Sequence, residues 1–317
     1  MTKHHLRKNL TSSEAARILG ASEASIKRWA DRGLLPSQRT AGGHRRFRPE
    51  DVASFRHEHI RESAPEATAD SLALPPPEHA RTTATPSLQP SLQPSLQIDE
   101  SDVVTAEALF DALTGEQPAE VSALLFKSYL HGATLTFICD ELLAPAMRKI
   151  GDLWRQGTLT VAAEHLATRA AISAVQTLSR VMERREAGHS LAVCCSVEDD
   201  FHELPIHCAE LLLKTEGWVV VNLGANTPFY ALSETVSHLN PRLLCVAATM
   251  LNHLDRAARE YRELRAATQR AGTSIVLGGA GFAHHDLRHR FPAELHADSF
   301  RQLLDFAASL NAKRADS

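Results

Sequence analysis

The chain has 317 residues, 44% hydrophobic and 23% charged, with a formal net charge of −4. These are ordinary values for a globular protein, with enough chain for two or three domains. Five cysteines without a C-x-x-C pair argue against a disulfide framework, and no apolar run reaches the ~18 residues needed to span a membrane. The start, Met1 to Lys8, is positive but has no apolar core behind it. The expectation is therefore a cytoplasmic protein with reduced thiols, no signal peptide and no membrane partner.

The charge is unevenly spread. Residues 1–60 carry a net +6 and the remainder −10, so a basic head sits on an acidic body and is expected to meet phosphate. In the head, taken as residues 1–62, Thr11-Ser12-Ser13-Glu14 is a capping box opening a helix that Gly20 ends. Ser22 caps a second helix, 23–32, with Gly33 as its stop. Ile26 and Trp29 share its inward face. Ser25, Lys27 and Arg28 are left outward, where a recognition helix meets base edges. Thr40-Ala41-Gly42-Gly43-His44 reads as a hairpin turn between Arg39 and Arg45-Arg46-Phe47-Arg48. That makes a basic wing with one apolar anchor, and Arg39, His44, Arg45, Arg46 and Arg48 join the candidate DNA contacts. A further helix begins at Pro49. This segment resembles the winged helix-turn-helix of the MerR family, and Gly42-Gly43-His44-Arg45-Arg46-Phe47 carries most of the likeness. A small interaction module with a solvated basic face is the alternative.

Residues 63–100 turn to Ala, Pro, Ser, Thr and Gln, and Pro-Ser-Leu-Gln occurs three times from Pro86. Prolines at that spacing block helix and sheet ladders, so a flexible tether is expected. A docking peptide is the lesser alternative. Residues 101–187 show helical periodicity over 103–114, 118–130, 135–151 and 159–185, which predicts a four-helix bundle. Residues 188–317 alternate strand and helix. Apolar runs at 191–195, 219–223, 243–247 and 275–277, with a weaker one near 294–298, predict a doubly wound parallel sheet, a Rossmann-like domain. Helices are expected at 206–216, 229–239, 253–271 and 299–311.

Three motifs follow strand ends in that last domain: Asp200-Phe201-His202-Glu203-Leu204-Pro205, Thr249-Met250-Leu251 and Gly278-Gly279. Each alone is weak. Together their spacing resembles the cobalamin-binding domain of methionine synthase and its relatives, where Asp-x-His-x-x-Gly, Ser-x-Leu and Gly-Gly recur. The resemblance implies that His202 is the lower ligand of cobalt, with Asp200 fixing its other ring nitrogen. It also implies that the Thr249 hydroxyl bonds the displaced nucleotide tail, which Gly278 and Gly279 let lie against the backbone. Pro205 stands where that family has Gly, which stiffens the loop and suits the first turn of a helix.

In the bundle, Trp154 precedes Glu164-His165 by ten residues. A core Trp and two solvated polar residues explain each position singly. With the head and the cobalamin motif in the same order, the pattern resembles the CarH/LitR-like light-responsive repressors of the MerR family. That resemblance implies Trp154 over the upper cobalamin face, with Glu164 and His165 in the same pocket. It further implies adenosylcobalamin as cofactor, a double-stranded DNA operator, a homo-oligomer (dimer or tetramer), and regulation rather than catalysis. Light-sensing members carry a His after the capping Trp. Here that residue is Arg155, which cannot deprotonate to become a ligand. Two alternatives stay open: a corrinoid methyl carrier or methyltransferase module, and a regulator with a degenerate ligand site.

Overall fold

A computed structural model of the chain describes residues 9–62, 103–115, 118–182 and 190–315; the expected tether lies outside them. In the head, α1 (Ser12–Leu19) opens on the capping box: Thr11 Oγ1 accepts from the Glu14 N–H at 3.1 Å, and Glu14 Oε2 accepts from the Thr11 N–H at 2.6 Å. Gly20 closes it at φ +62°, where a side chain would be strained. α2 (Glu23–Asp31) is capped by Ser22, whose hydroxyl accepts from the Ser25 N–H. β1 (Gln38–Arg39) and β2 (Arg45–Arg46) form the antiparallel wing. Phe47 anchors it in the core, and its main chain pairs with Leu10. α3 (Pro49–Glu62) completes the head, with Phe55 stacked 4.8 Å from Trp29 of α2.

The body begins with α4 (Ala106–Thr114) and α5 (Pro118–Leu130). The third rod is α6 (Leu135–Phe137), a π-helical segment over Ile138–Leu143, and α7 (Ala144–Arg155). It runs past the predicted end at 151. Pro145 sits at the start of α7 and cannot donate to a carbonyl one turn back. The wider π turn just before it absorbs that missing bond, so the rod continues where a proline would otherwise break it. α8 (Val161–Met182) is the longest helix and buries Ala167, Ala170, Ala171, Ala174, Val175 and Leu178 along one stripe. Small residues there let the neighbouring helices approach closely.

The C-terminal half is a sheet of five parallel strands in the order β4-β3-β5-β6-β7. The strands are β3 (Leu191–Val197), β4 (Val219–Thr227), β5 (Leu243–Ala247), β6 (Ser274–Gly278) and β7 (Leu295–Ala297). Around them lie α9 (Leu204–Thr215), α10 (Phe229–Leu239), α11 (Leu254–Ala271), α12 (His285–Arg290) and α13 (Phe300–Ala315). The sequence predicts no helix at α12, because a single apolar residue, Leu287, among five polar ones carries no periodic signal. Two apolar clusters cover the two faces, one around Tyr261, Phe229 and Phe291, the other around Trp218 and Leu213. This order reverses direction between β3 and β5, and such a switch point opens a crevice at the carboxyl ends of the strands. Bundle and sheet are joined: α8 packs on α9, and Asp140 of the π segment accepts from the N–H groups of Phe300 (2.8 Å) and Arg301 (3.1 Å) at the start of α13.

Candidate functional site

β3 ends at Val197, and a six-residue loop leads to α9, which starts at Leu204 with Pro205 in its first turn. The Asp200 side chain is fully buried at the centre of this loop, beside the switch point. Its Oδ1 accepts from His202 Nδ1 at 2.5 Å and from the His202 N–H at 3.1 Å. Its Oδ2 accepts from the N–H of Thr249, and from that of Met250 at 3.4 Å, both just past β5. One carboxylate thus ties together the ends of the two strands that flank the crevice. Ser196 adds a hydroxyl bond to the His202 carbonyl at 2.8 Å. Asp199 and Asn226 both have positive φ, +62° and +55°, and the Asn226 Oδ1 accepts the Asp199 N–H at 2.9 Å.

Burial raises the pKa of the Asp200 carboxyl, but the hydrogen bonds from His202 and Thr249 bring it below the ordinary value. It is ionised at neutral pH, so it can only accept, and His202 Nδ1 must carry the proton. The same bond raises the His202 pKa, against a lowering by burial, with further help from the charges of Asp200 and Glu164. In the neutral imidazole, Nε2 is left with the lone pair. The His202 side chain is 52% exposed, and Nε2 has no hydrogen-bond partner among the described residues.

The smallest contribution to the raised His202 pKa comes from the neighbouring domain, since Glu164 belongs to the bundle. It lies in the first turn of α8, accepts from the Thr168 hydroxyl at 2.7 Å, and sits 3.6 Å from His165 Nε2. His165 itself is mostly exposed. Trp154 is in the last turn of α7 rather than in a loop, and it is 46% exposed. Arg155 is turned back onto Asp152 of its own helix. Phe201 and Met250, which flank His202 and Thr249, are exposed large apolar side chains as well. An open imidazole nitrogen on a loop that also carries the exposed Phe201 suits a large, flat, partly apolar ligand such as a corrin.

Two residues behave differently from their sequence reading. Thr249 engages Asp200 through its backbone N–H, a contact no side-chain motif announces. Gly279 has φ +92°, and a Cβ there would meet the Ala248 carbonyl oxygen at 2.4 Å. Its lack of a side chain is demanded by the end of β5 itself. Gly281, which sequence reasoning passed over, is crowded by Ala248 in the same way, whereas a Cβ on Gly278 would make only ordinary contact.

In the head, α1, α2 and the wing enclose a cleft of about 570 Å³ lined by Ser12, Ser13, Lys27, Arg39, His44 and Arg46, among others. Lys27, Arg28, Arg39, His44 and Arg48 are exposed, and Ser25 is half-buried beside Ser22. Arg45 departs from the phosphate-contact role. Its side chain is only 14% exposed and its guanidinium is committed to Asp31 at the end of α2. The reason is tertiary: the hairpin folds back against α2 and brings a basic strand beside an acidic helix end. Arg46 is half-buried next to it.

A helix-turn-helix domain family matches residues 10–59, and a B12 binding domain family matches residues 105–179. The HTH-type transcriptional repressor CarH of Myxococcus xanthus is 26% identical over 280 residues, covering 86% of this chain and 89% of that protein. The HTH-type transcriptional repressor CarA of the same organism is 27% identical, covering 85% and 86%. Trimethylamine corrinoid protein 1 of Methanosarcina mazei is 23% identical and matches 60% of this chain, 88% of its own. Among solved structures, the Methanosarcina barkeri monomethylamine corrinoid protein superposes with a TM-score of 0.55 at 19% identity, over 64% of this chain and 96% of its own. That last likeness concerns the fold of the body.

Proposed function

The chain has the CarH/CarA-type arrangement, a helix-turn-helix domain joined to a B12-binding body, and from that premise we propose that it is a DNA-binding transcriptional regulator that senses cobalamin. The observation that carries the reading is the buried Asp200 holding His202 with its Nε2 free, at the switch point of the sheet.

The domain division we propose is 1–62 for DNA, 63–100 as tether, 101–187 over the upper face and 188–317 below it. His202 would hold cobalt through Nε2. Asp200 keeps the tautomer and the ring orientation. Trp154, Glu164 and His165 would border the upper face, and Thr249, Gly278 and Gly279 the nucleotide tail. Bound cobalamin supplies a cobalt–carbon bond that light can break, a change no side chain offers. Adenosylcobalamin, homo-oligomerisation and repression of a double-stranded operator complete the reading. Because Arg155 is held by Asp152 and cannot ligate, the upper site after illumination would be left to water or a weaker ligand.

The test is the purified chain mixed with adenosylcobalamin in the dark, followed by gel filtration and DNA retardation before and after illumination. Co-elution of a cobalamin spectrum, with a change in size and DNA affinity on illumination, is expected. A cobalamin that separates from the protein would sink the reading. A corrinoid methyl carrier is the second reading, favoured by relatives that match the body without the head. Methyl transfer from the loaded chain to an acceptor enzyme distinguishes it.

A further inference from the structure

Arg56 lies on α3 of the head, yet its partners belong to the body. Its two terminal nitrogens donate to the main-chain carbonyls of Tyr129 and Leu130, each at 2.8 Å. The guanidinium also lies 4.5 Å from the centroid of the Tyr129 ring. Tyr129 and Leu130 are the last residues of α5, at its negative dipole end; the Tyr129 carbonyl also accepts from the Gly132 N–H at 3.0 Å, and Arg56 adds a second donor to it. A planar cation suits that position because two parallel donors meet two adjacent carbonyls. Around it, α3 packs against both α5 and α8, and the apolar residues of head and bundle form one continuous cluster.

We propose that the end of the bundle is a docking surface for the chain's own head, with Arg56 as the clamp. The contact between α3 and the end of α5 itself sets the direction of the recognition helix relative to the bundle. Trp29 of α2 stacks on Phe55, the neighbour of Arg56 on α3, so the clamp and the reading helix share one packed unit. Lys27, Arg28, Arg39, His44 and Arg48 stay exposed in this arrangement, so docking leaves these candidate DNA contacts open. At the far side, Tyr129 and Met182 line one cleft of about 340 Å³, which places the C-terminal end of α8 beside the clamp. Glu164 lies near the other end of α8, roughly 27 Å away at 1.5 Å per residue. One helix, α8, therefore runs from Glu164 to the head's dock. The clamp is incompletely satisfied, since Arg56 Nε is buried with no hydrogen-bond partner among the described residues. A buried cationic group with an unmet donor weakens the contact and makes it releasable.

The experiment uses the full chain and needs neither DNA nor cobalamin, so its failure is separate from failure of the functional reading. All five native cysteines are buried, so a Ser13→Cys substitution on the exposed face of α1 gives a single reactive site for a fluorescent label. Time-resolved anisotropy then reads how the head tumbles. In the otherwise native chain the label is expected to report the slow rotation of the whole protein. With Arg56→Ala, a fast component of several-fold shorter correlation time is expected to dominate. Arg56→Lys, which keeps the charge but not the two-pronged fit, should give an intermediate mixture. Tyr129→Ala alters only the bundle side: it removes the ring beside the guanidinium and keeps both carbonyls, so a smaller fast component is expected, whether or not Arg56→Ala still folds. A head that already tumbles fast in the native chain, or one that stays slow in both Arg56→Ala and Tyr129→Ala, overturns the proposal.

Discussion

The wing of the head and the loop after β3 both carry candidate binding residues, but they are built in opposite ways. In the wing, Arg39 and His44 on the short hairpin and Arg48 just after it are all exposed, where water and salt screen electrostatic contacts. In the loop, one buried carboxylate takes four N–H donors from two strand ends and leaves a single ring nitrogen free. The first design tolerates exchange of one cation for another. The second does not, because removing the hub leaves buried donors without an acceptor. Binding by many weak exposed contacts and binding by one over-determined group should therefore respond differently to mutation.

The largest expected effect is at the free nitrogen. His202→Ala should lower cobalamin affinity by about two orders of magnitude or more, while Asp200→Ala should cost about 10–100-fold, as a change to the group behind the ligand. Equilibrium dialysis in the dark with cobalamin measures both, and native affinity in His202→Ala would refute the assignment. Next comes the glycine pair. Gly279→Ala should destabilise the cofactor-free protein by about 2–4 kcal/mol, from positive φ and the collision with Ala248. Gly278→Ala should leave cofactor-free melting nearly unchanged and reveal itself only in cobalamin affinity. Equal melting of the two variants would remove the distinction.

Glu210 supplies a pH test away from both sites. Its hydrogen bond from His207 lowers its pKa, against a rise from burial, and Asn222 of β4 and Lys214 add to the lowering, down to about 2. A depressed carboxylate contributes stability above its unfolded pKa and loses it as pH falls toward the folded one. Glu210→Gln should thus cost on the order of 1–2 kcal/mol at pH 7, with the gap to the native protein closing between about pH 4.5 and pH 2. Denaturant melts at several pH values follow it; a gap that widens on acidification would contradict the argument.

The smallest effects divide the wing. Arg39→Ala and Arg48→Ala should each weaken DNA binding several-fold and lower the salt slope by about one. Arg45→Ala should weaken it by tilting the wing, with the salt slope kept, and Asp31→Ala should do the same because it removes the other half of that contact. If Arg45→Ala lowers the slope and Asp31→Ala does nothing, Arg45 touches phosphate after all.

Much of this was legible in the linear chain because the relevant signals are local. Caps at Thr11 and Ser22, alternating apolar runs and the glycine stops mark elements by interactions within a few residues. The spacing of Asp200, Thr249 and Gly278 is also linear information, since parallel strands all deliver their carboxyl ends to one edge of the sheet. The rest depended on which surfaces meet. No pattern says that Thr249 serves through its N–H, that Gly279 faces the Ala248 carbonyl, that Arg45 closes on Asp31, or that Arg56 reaches the end of α5. Each joins residues far apart in the chain through a main-chain atom or a long side chain. Main-chain groups are the same at every position, and an arginine reads as a surface cation until its neighbour is known. Side-chain type and short-range period were therefore decided by the sequence alone, and the partner of each charged or main-chain group only by the packing of head, bundle and sheet.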